Sequence, residues 1–549
     1  MIPDPARRTV RQGVILLGMI FIFPLLSAQE TGIYTLYLKD KKGSPYSLDH
    51  PEDFLSQRAL SRRAREGVAV TYADLPVSPQ YLSALDKAGF HIRCTSRWFN
   101  SVTVDIDDPS LFDTLLRFTF MEGMRLVRPY GKGGGQAVEK WHETLVAGTA
   151  GASLPQLGMM RGDELHALGY RAKDVIIAVL DAGFYHADQL PAFDSLFAGG
   201  RLLGTRDIVD GNGNVFDDHP HGMYVLSILA GIIPGGLTGS APDARYWLIR
   251  TEDADSEYPV EEEYWIAGAE LADSAGADIL SSSLGYFTFD QARFNHTYAD
   301  LDGRTTPVAR AALMAARRGI IVVASAGNEG NKPWHYIITP ADADSLLAVG
   351  AVDVNGLPAS FSSYGPAADG RIKPDVAALG VNVVIQNSSG SLSRGSGTSF
   401  SAPLVAGMMA CLRQAFPTLT AISLITTLRQ QAGLSDHPDN RLGYGIPDVM
   451  KTFEELSLMQ KTEEHPGTLL LYPNPVRDKI RFSFLLQEKG PAVLHVTDLS
   501  GRDVLKIPFE LHGGYNTGLI DIQQLAAGTY LLLLHTPSHT LIGKILKIK

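Results

Sequence analysis

The sequence predicts an α/β protein built on a parallel sheet with helices on both faces. A small α/β unit precedes that sheet and a β-sandwich follows it. Three observations carry this. Residues 155–455 alternate near-continuous apolar strands with helical segments, as parallel sheets buried on both sides do. Residues 30–130 alternate short strands and helices on a smaller scale, and residues 467–549 show period-two alternation that needs no helix. With 549 residues, 45% hydrophobic and 19% charged, the chain is globular and too long for one core.

The elements follow in order. "ARRTVRQ" carries three arginines, and the apolar run "GVILLGMIFIFPLLSA" ends at Ser27 and Ala28. This is the layout of a secretory signal over 1–28, too short and too Pro-broken for a membrane span. A mature chain that is exported, with no transmembrane segment, is therefore expected. In the first unit, "GIYTLYLKD" reads as a strand, "PEDFLSQRALSRRARE" and "QYLSALDKAGF" as helices, and "HIRCTSRWFNSVTVDI" as one or two strands. "PSLFDTLLRF" is helical and "MRLVRPY" closes the unit as a strand. The basic run "SRRAR" at 61–65 reads as a solvated helix face. Residues 131–154, opening with "GKGGGQ", read as a flexible, protease-accessible linker.

In the large unit the strands are "DVIIAVLDAG", "GADILSSSLG", "GIIVVASAGNEG" and "SLLAVGAVD". The helices between them are "HGMYVLSILAG", "EEEYWIAGAELADSAG" and "TPVARAALMAARRG". A second linker is expected at 456–466. Beyond it, "KIRFSF", "AVLHVTDLSGRDVLKI", "AAGTYLLLLHT" and "TLIGKILKIK" supply the strands of the sandwich.

Composition excludes some classes. The formal net charge of −11, with no concentrated basic stripe, argues against nucleic-acid binding. Two cysteines, Cys94 and Cys411, cannot make a zinc cluster. They read as unpaired small apolar residues, with a single disulfide as the alternative.

Ligand sites in parallel sheets form at the carboxyl ends of strands, and three chemically apt residues fall at element ends. Asp181 follows "VIIAVL", His221 opens a helix, and Ser399 opens "SFSAPLVAGMMACLRQAF". A serine hydroxyl needs a base to become a nucleophile, and a neutral imidazole can be that base near neutral pH. A carboxylate on the other ring nitrogen fixes its tautomer. Gly397 is expected to turn the chain sharply before Ser399, and Pro403 to fall in the first helical turn, where no N–H is needed. Asn328, after another buried strand, could donate its amide to an oxyanion. His219 competes with His221, but Pro220 follows it and no Gly-plus-apolar run does.

The pieces "AVLDAG", "HGMYVLSILAG", "SSSLGY", "ASAGNEG" and "GTSFSAPLVAG" together resemble a subtilisin-like serine peptidase over some 300 residues. The resemblance implies a secreted serine endopeptidase acting through an acyl-enzyme, with Asp181, His221 and Ser399 as the triad and Asn328 as oxyanion donor. It also implies that Ser283, Leu284 and Gly285 pair with the substrate backbone. The chain departs from the family pattern at Ala182, Met223, Tyr224 and Leu404, none of which removes a catalytic group. A catalytically degenerate surface or binding protein on the same scaffold, and a serine–carboxyl peptidase using Glu as base, are the alternatives.

No cofactor or metal is expected for this chemistry. "DGNGNVFDD" at 210–218 suggests calcium, but its sixth position is Val215 and its twelfth His221, which excludes an EF-hand. It reads as a polar turn ahead of His221, with another kind of calcium loop as the alternative.

By position, the first unit resembles the inhibitory propeptides of secreted subtilisin-like enzymes. The resemblance implies an intramolecular inhibitor released by cleavage in 131–154. "LYPNPVRDKI", "VTDLSGR", "LAAGTYLLLL" and "KILKIK" resemble the C-terminal sorting domain of the type IX (Por) secretion system of Bacteroidota. That implies the type IX machinery as partner, outer-membrane translocation, and protein or peptide substrates outside the cell.

Overall fold

A computed structural model of the chain describes residues 30–131, 140, 144–146, 153–536 and 538–549. The expected signal at 1–28 and much of the expected linker at 131–154 lie outside the described residues.

The leader unit comprises β1 (Gly32–Leu38), α1 (Gln57–Glu66), α2 (Pro79–Lys87), β2 (Ile92–Ser96), β3 (Ser101–Ile106), α3 (Ser110–Leu115) and β4 (Met121–Pro129). Ser56 caps α1 by accepting from Ala59 N, and Gly67 ends it in left-handed backbone. The four strands form one antiparallel sheet in the order β2-β3-β1-β4. Leu36, Leu85, Val102, Val104 and Phe112 make its private core. Ile33, Trp98 and Val127 instead join the core of the large unit.

The short β5 (Thr144–Val146) leads to α4 (Leu154–Gly158), α5 (Gly162–Ala167), β6 (Ile176–Asp181), α6 (Asp194–Ala198), β7 (Leu202–Asp207) and α7 (His221–Ala230). Then come β8 (Ile232–Ile233), β9 (Leu237–Thr238), β10 (Arg245–Arg250), α8 (Val260–Ala275), β11 (Ile279–Ser282), α9 (Pro307–Arg317), β12 (Ile321–Ser325), β13 (Leu347–Val352) and β14 (Val376–Leu379). The unit closes with β15 (Val383–Gln386), β16 (Leu392–Ser396), α10 (Thr398–Ala415), α11 (Ala421–Gln430) and α12 (Val449–Glu464). Seven strands form a parallel sheet in the order β14-β13-β12-β11-β6-β10-β7. One face buries α7 and α10, the other α8 and α9. From β6 the chain goes on to β7 on one side of the sheet and from β11 to β12 on the other, so the crevice between β6 and β11 is the topological switch point.

The sandwich packs β17 (Leu470–Tyr472), β18 (Lys479–Leu486) and β21 (Gly514–Asp521) on β19 (Gly490–Thr497), β20 (Asp503–Leu511), β22 (Gly528–His535) and β23 (Thr540–Lys547). Phe482, Phe484, Leu494, Val496, Leu532 and Ile545 fill the space between the sheets. Among the described residues, no helix is long and apolar enough to cross a membrane. Cys94 and Cys411 are free thiols, so the disulfide alternative falls.

Three expectations need correction. The linker expected at 456–466 is mostly helix: α12 runs to Glu464, and Leu456, Leu458 and Thr462 are buried. "SRRAR" is not a solvated face. Arg62 and Arg63 are fully buried against Asp273 and Asp74, charges that the local sequence does not supply. Nor is 131–154 open chain throughout. Ser153 is buried, its N–H donating to Gly236 O, and β5 pairs antiparallel with β16.

Candidate active site

The buried strand β6 ends at Asp181, and α7 begins at His221. The His221 Nδ1 to Asp181 Oδ1 distance is 2.7 Å, with both side chains out of solvent. That pairing puts the ring proton on Nδ1 and turns Nε2 away from the carboxylate. Asp181 Oδ1 also accepts from Ala182 N at 2.8 Å. Oδ2 has no hydrogen-bond partner among the described residues. A serine or threonine in place of Ala182 would bring a hydroxyl to this carboxylate. Gly222 is required by space: a Cβ there would sit 2.4 Å from Gly183 O and 2.8 Å from Asp181 Cβ. Met223 is buried in the core behind the histidine, and His219 Nδ1 accepts from His221 N at 3.3 Å.

Ser399 is the second residue of α10, a helix buried from Thr398 to Arg413. The next residue, Phe400, lies against the His221 ring with centroids 6.4 Å apart. Gly397 is in extended backbone (φ 163°, ψ 156°), so the sharp turn expected there is not made by its φ. Pro403 falls in the second turn, not the first, because α10 starts at Thr398. A proline at that point deprives the Ser399 carbonyl of its helical N–H donor. Ser283 Oγ replaces it, donating to Ser399 O at 2.9 Å, while Ser399 Oγ lies 3.3 Å from Ser283 O. The segment after β11 is thus tied to the serine in both directions.

Asn328 follows β12, and its Oδ1 accepts from both Thr398 N (2.9 Å) and Thr398 Oγ1 (3.0 Å). These bonds fix the sense of the amide, with Nδ2 as its donor end. Gly285 lies close to Ile338, leaving no room for a Cβ. The structure therefore gathers Asp181, His221, Ser283, Asn328 and Ser399 at the carboxyl ends of β6, β11 and β12, around the switch point. In the 210–218 loop, Asp210 and Asp218 close on Arg250, which also pairs with Asp207.

Sequence reasoning missed Thr398, which pins Asn328, and the carboxylates Glu252, Glu257 and Glu261. Each offers an oxygen within 4.8 Å of the others, and all three are buried. "TEDADSEYPVEEE" carries seven acids directly after the apolar β10, a density at a strand's carboxyl end that could have flagged them.

Residues 172–445 match the Subtilase family. Residues 33–139 match the Peptidase S8 propeptide domain of Bacteroidota, and residues 470–549 the secretion system C-terminal sorting domain. Subtilisin DY of Bacillus licheniformis is 30% identical over 278 residues, covering 50% of this chain and 89% of its own length. Serine protease AprX of Bacillus subtilis is 30% identical over 277 residues, covering 45% of this chain and 59% of its own length. The crystal structure of MycP1 from the ESX-1 type VII secretion system aligns with a TM-score of 0.46 at 22% identity, over 58% of this chain and 90% of that one. The sorting domain marks the chain for type IX secretion to the cell surface or beyond. The chain belongs to the subtilase family of serine proteases, with a Bacteroidota S8 propeptide domain before the peptidase domain and a secretion-system sorting domain after it.

Proposed function

We propose that the mature protein is a secreted serine endopeptidase in which Asp181, His221 and Ser399 form the catalytic triad. The observation that carries this reading is the 2.7 Å His221 Nδ1–Asp181 Oδ1 pairing, with the imidazole lying against the residue next to Ser399. His221 Nε2 takes the Ser399 proton as Oγ attacks the scissile carbonyl. It then returns that proton to the leaving amine, giving an acyl-enzyme that water hydrolyses by the same relay. Asp181 holds the tautomer and stabilises the imidazolium. Asn328 Nδ2 and the Ser399 N–H, near the start of α10, hold the oxyanion. Backbone groups of Ser283, Leu284 and Gly285 align the substrate as an added strand. Nucleophile, base and oxyanion donors are all protein groups, so the chemistry calls for no cofactor or metal.

In the precursor, the leader acts as an intramolecular inhibitor. Two observations support this. Its sheet shares a core with α8 and α9, and β5 pairs with Arg394, Gly395 and Ser396, immediately ahead of Ser399.

A fluorophosphonate probe tests the triad. Covalent labelling of the matured wild type, lost in Ser399→Ala, is expected. Absence of labelling in folded wild type would favour a non-catalytic scaffold.

A further inference from the structure

We infer that Glu252, Glu257 and Glu261 form a specificity pocket for a basic side chain on the N-terminal side of the scissile bond, and that Lys140 of the same chain is its first occupant. The inference deepens the peptidase reading and rests on it.

The Lys140 Nζ lies 3.0 Å from Glu252 Oε2, 3.0 Å from Glu257 Oε2, and in direct contact with Glu261 Oε1. It also donates to the carbonyls of Asp253 (3.2 Å) and Ser256 (3.3 Å). The ammonium is therefore ringed by acceptors, and the lysine side chain is only 11% exposed. More than a hundred residues separate Lys140 from these glutamates in sequence, so the contact is a tertiary fit and not a local ion pair.

The pocket adjoins the cleft. β10 ends at Arg250, paired in register with Asp181, and Thr251 N donates to Asp181 O at 2.9 Å; Glu252 is the next residue. On the opposite wall, Tyr286 Oη donates to Glu252 Oε1 at 2.5 Å. Tyr286 directly follows Gly285, in the segment tied to Ser399 through Ser283.

Chain direction sets the side. Lys140 sits in the pocket, and Thr144 pairs with Ser396, three residues before Ser399. Four residues of chain reach at most about 14 Å. Lys140 therefore lies upstream of the residues that pair beside the serine, and a substrate held in the same sense would place its basic residue on the N-terminal side of the scissile bond.

The charge balance explains selectivity. Burial raises the Glu257 carboxyl to about 7 even with the Lys140 ammonium beside it pulling it down, and it raises Glu261 as well. Burial also opposes charge on Lys140, but the three carboxylates outweigh it and raise its pKa. A neutral side chain would leave the carboxyls to take up protons to relieve their crowding, losing the ionic match that a basic side chain makes, and an acidic one would add to the repulsion. A site of this kind rejects an uncharged isostere strongly.

The test uses the matured protein and internally quenched peptides differing only by Lys or norleucine at each of four positions upstream of the cleaved bond. At one position Lys should raise kcat/KM by about 100-fold. In Glu257→Gln, which must still be labelled by the active-site probe, that ratio should fall at least tenfold. Equal hydrolysis of both peptides, or a Lys preference unmoved by Glu257→Gln, would overturn the pocket. If neither peptide is cleaved, the hydrolase reading fails first. The pocket is then read by binding of the same peptides to the matured protein, whose cleft the leader no longer covers. Tighter binding of the Lys peptide supports it; equal binding overturns it.

Discussion

The peptidase domain meets its two neighbours in different ways. Against the leader, Asp273 of α8 accepts from Arg62, Arg63 and Arg97, and it is entirely buried. Three residues along α8, Glu270 takes bonds from Ser96 Oγ (2.6 Å), Arg97 N (2.8 Å) and Trp98 N (3.0 Å). Arg318 bonds Asp74 at 2.7 Å and lies over the Trp98 ring. Against the sandwich, α12 supplies Glu455 to Arg481 and to Tyr515 Oη (3.0 Å), and Thr462 meets Ser483 at 2.7 Å. Arg481 there is a third exposed.

The difference matches two modes of attachment. The leader docks through buried ion pairs set beside the apolar Ile33, Trp98 and Val127, and in place the ions are matched and hold one geometry. The sandwich is met by α12, which ends at Glu464 shortly before β17 opens at Leu470, through Glu455 and Thr462.

Region-resolved hydrogen exchange on the Ser399→Ala precursor can break or sharpen this contrast. The largest effect is expected from Asp273→Ala, which strands three guanidinium groups. Opening of the leader strands should become easier by about 3–5 kcal/mol, with exchange in β18–β23 unchanged. A smaller loss is expected in acid. Burial opposes ionisation of Asp74, but Arg318, the Thr71 N–H and Arg63 outweigh it and lower the pKa to about 2. Its stabilising contribution is therefore present above the unfolded value near 4 and disappears as pH falls toward 2. It is worth about 1–2 kcal/mol after solvent screening. Asp74→Asn should flatten the leader's stability across that range, and an unchanged pH slope would contradict the assignment. The smallest effect is expected from Glu455→Ala, about 1 kcal/mol at the sandwich and none at the leader. An effect as large as that of Asp273→Ala would erase the distinction between the two attachments.

Much of this architecture is legible in the sequence because apolar runs report buried parallel strands. Asp181, His221 and Asn328 each stand where such a run or its following helix meets the cleft, so their types and positions could be read together. What stayed hidden depends on partners remote in sequence. Arg62 and Arg63 read as a solvated face because Asp273 lies some 210 residues away. Lys140 sits in a Gly-rich, polar stretch that reads as linker, yet its ammonium is held by three distant glutamates. Residues 456–464 read as a boundary by composition, but the apolar face of α12 finds its cover only in three dimensions. The Ser283 hydroxyl has a reason to face α10 only once Pro403 is seen to withhold a donor from Ser399 O.

The relay from Asp181 through His221 to Ser399 is most directly tested by comparing Ser399→Ala, His221→Ala and the double variant on one peptide substrate. Groups acting as one unit should each abolish nearly all of kcat alone, with the double variant no worse than either single. Losses that multiply in the double variant, or substantial turnover in His221→Ala at neutral pH, would contradict it.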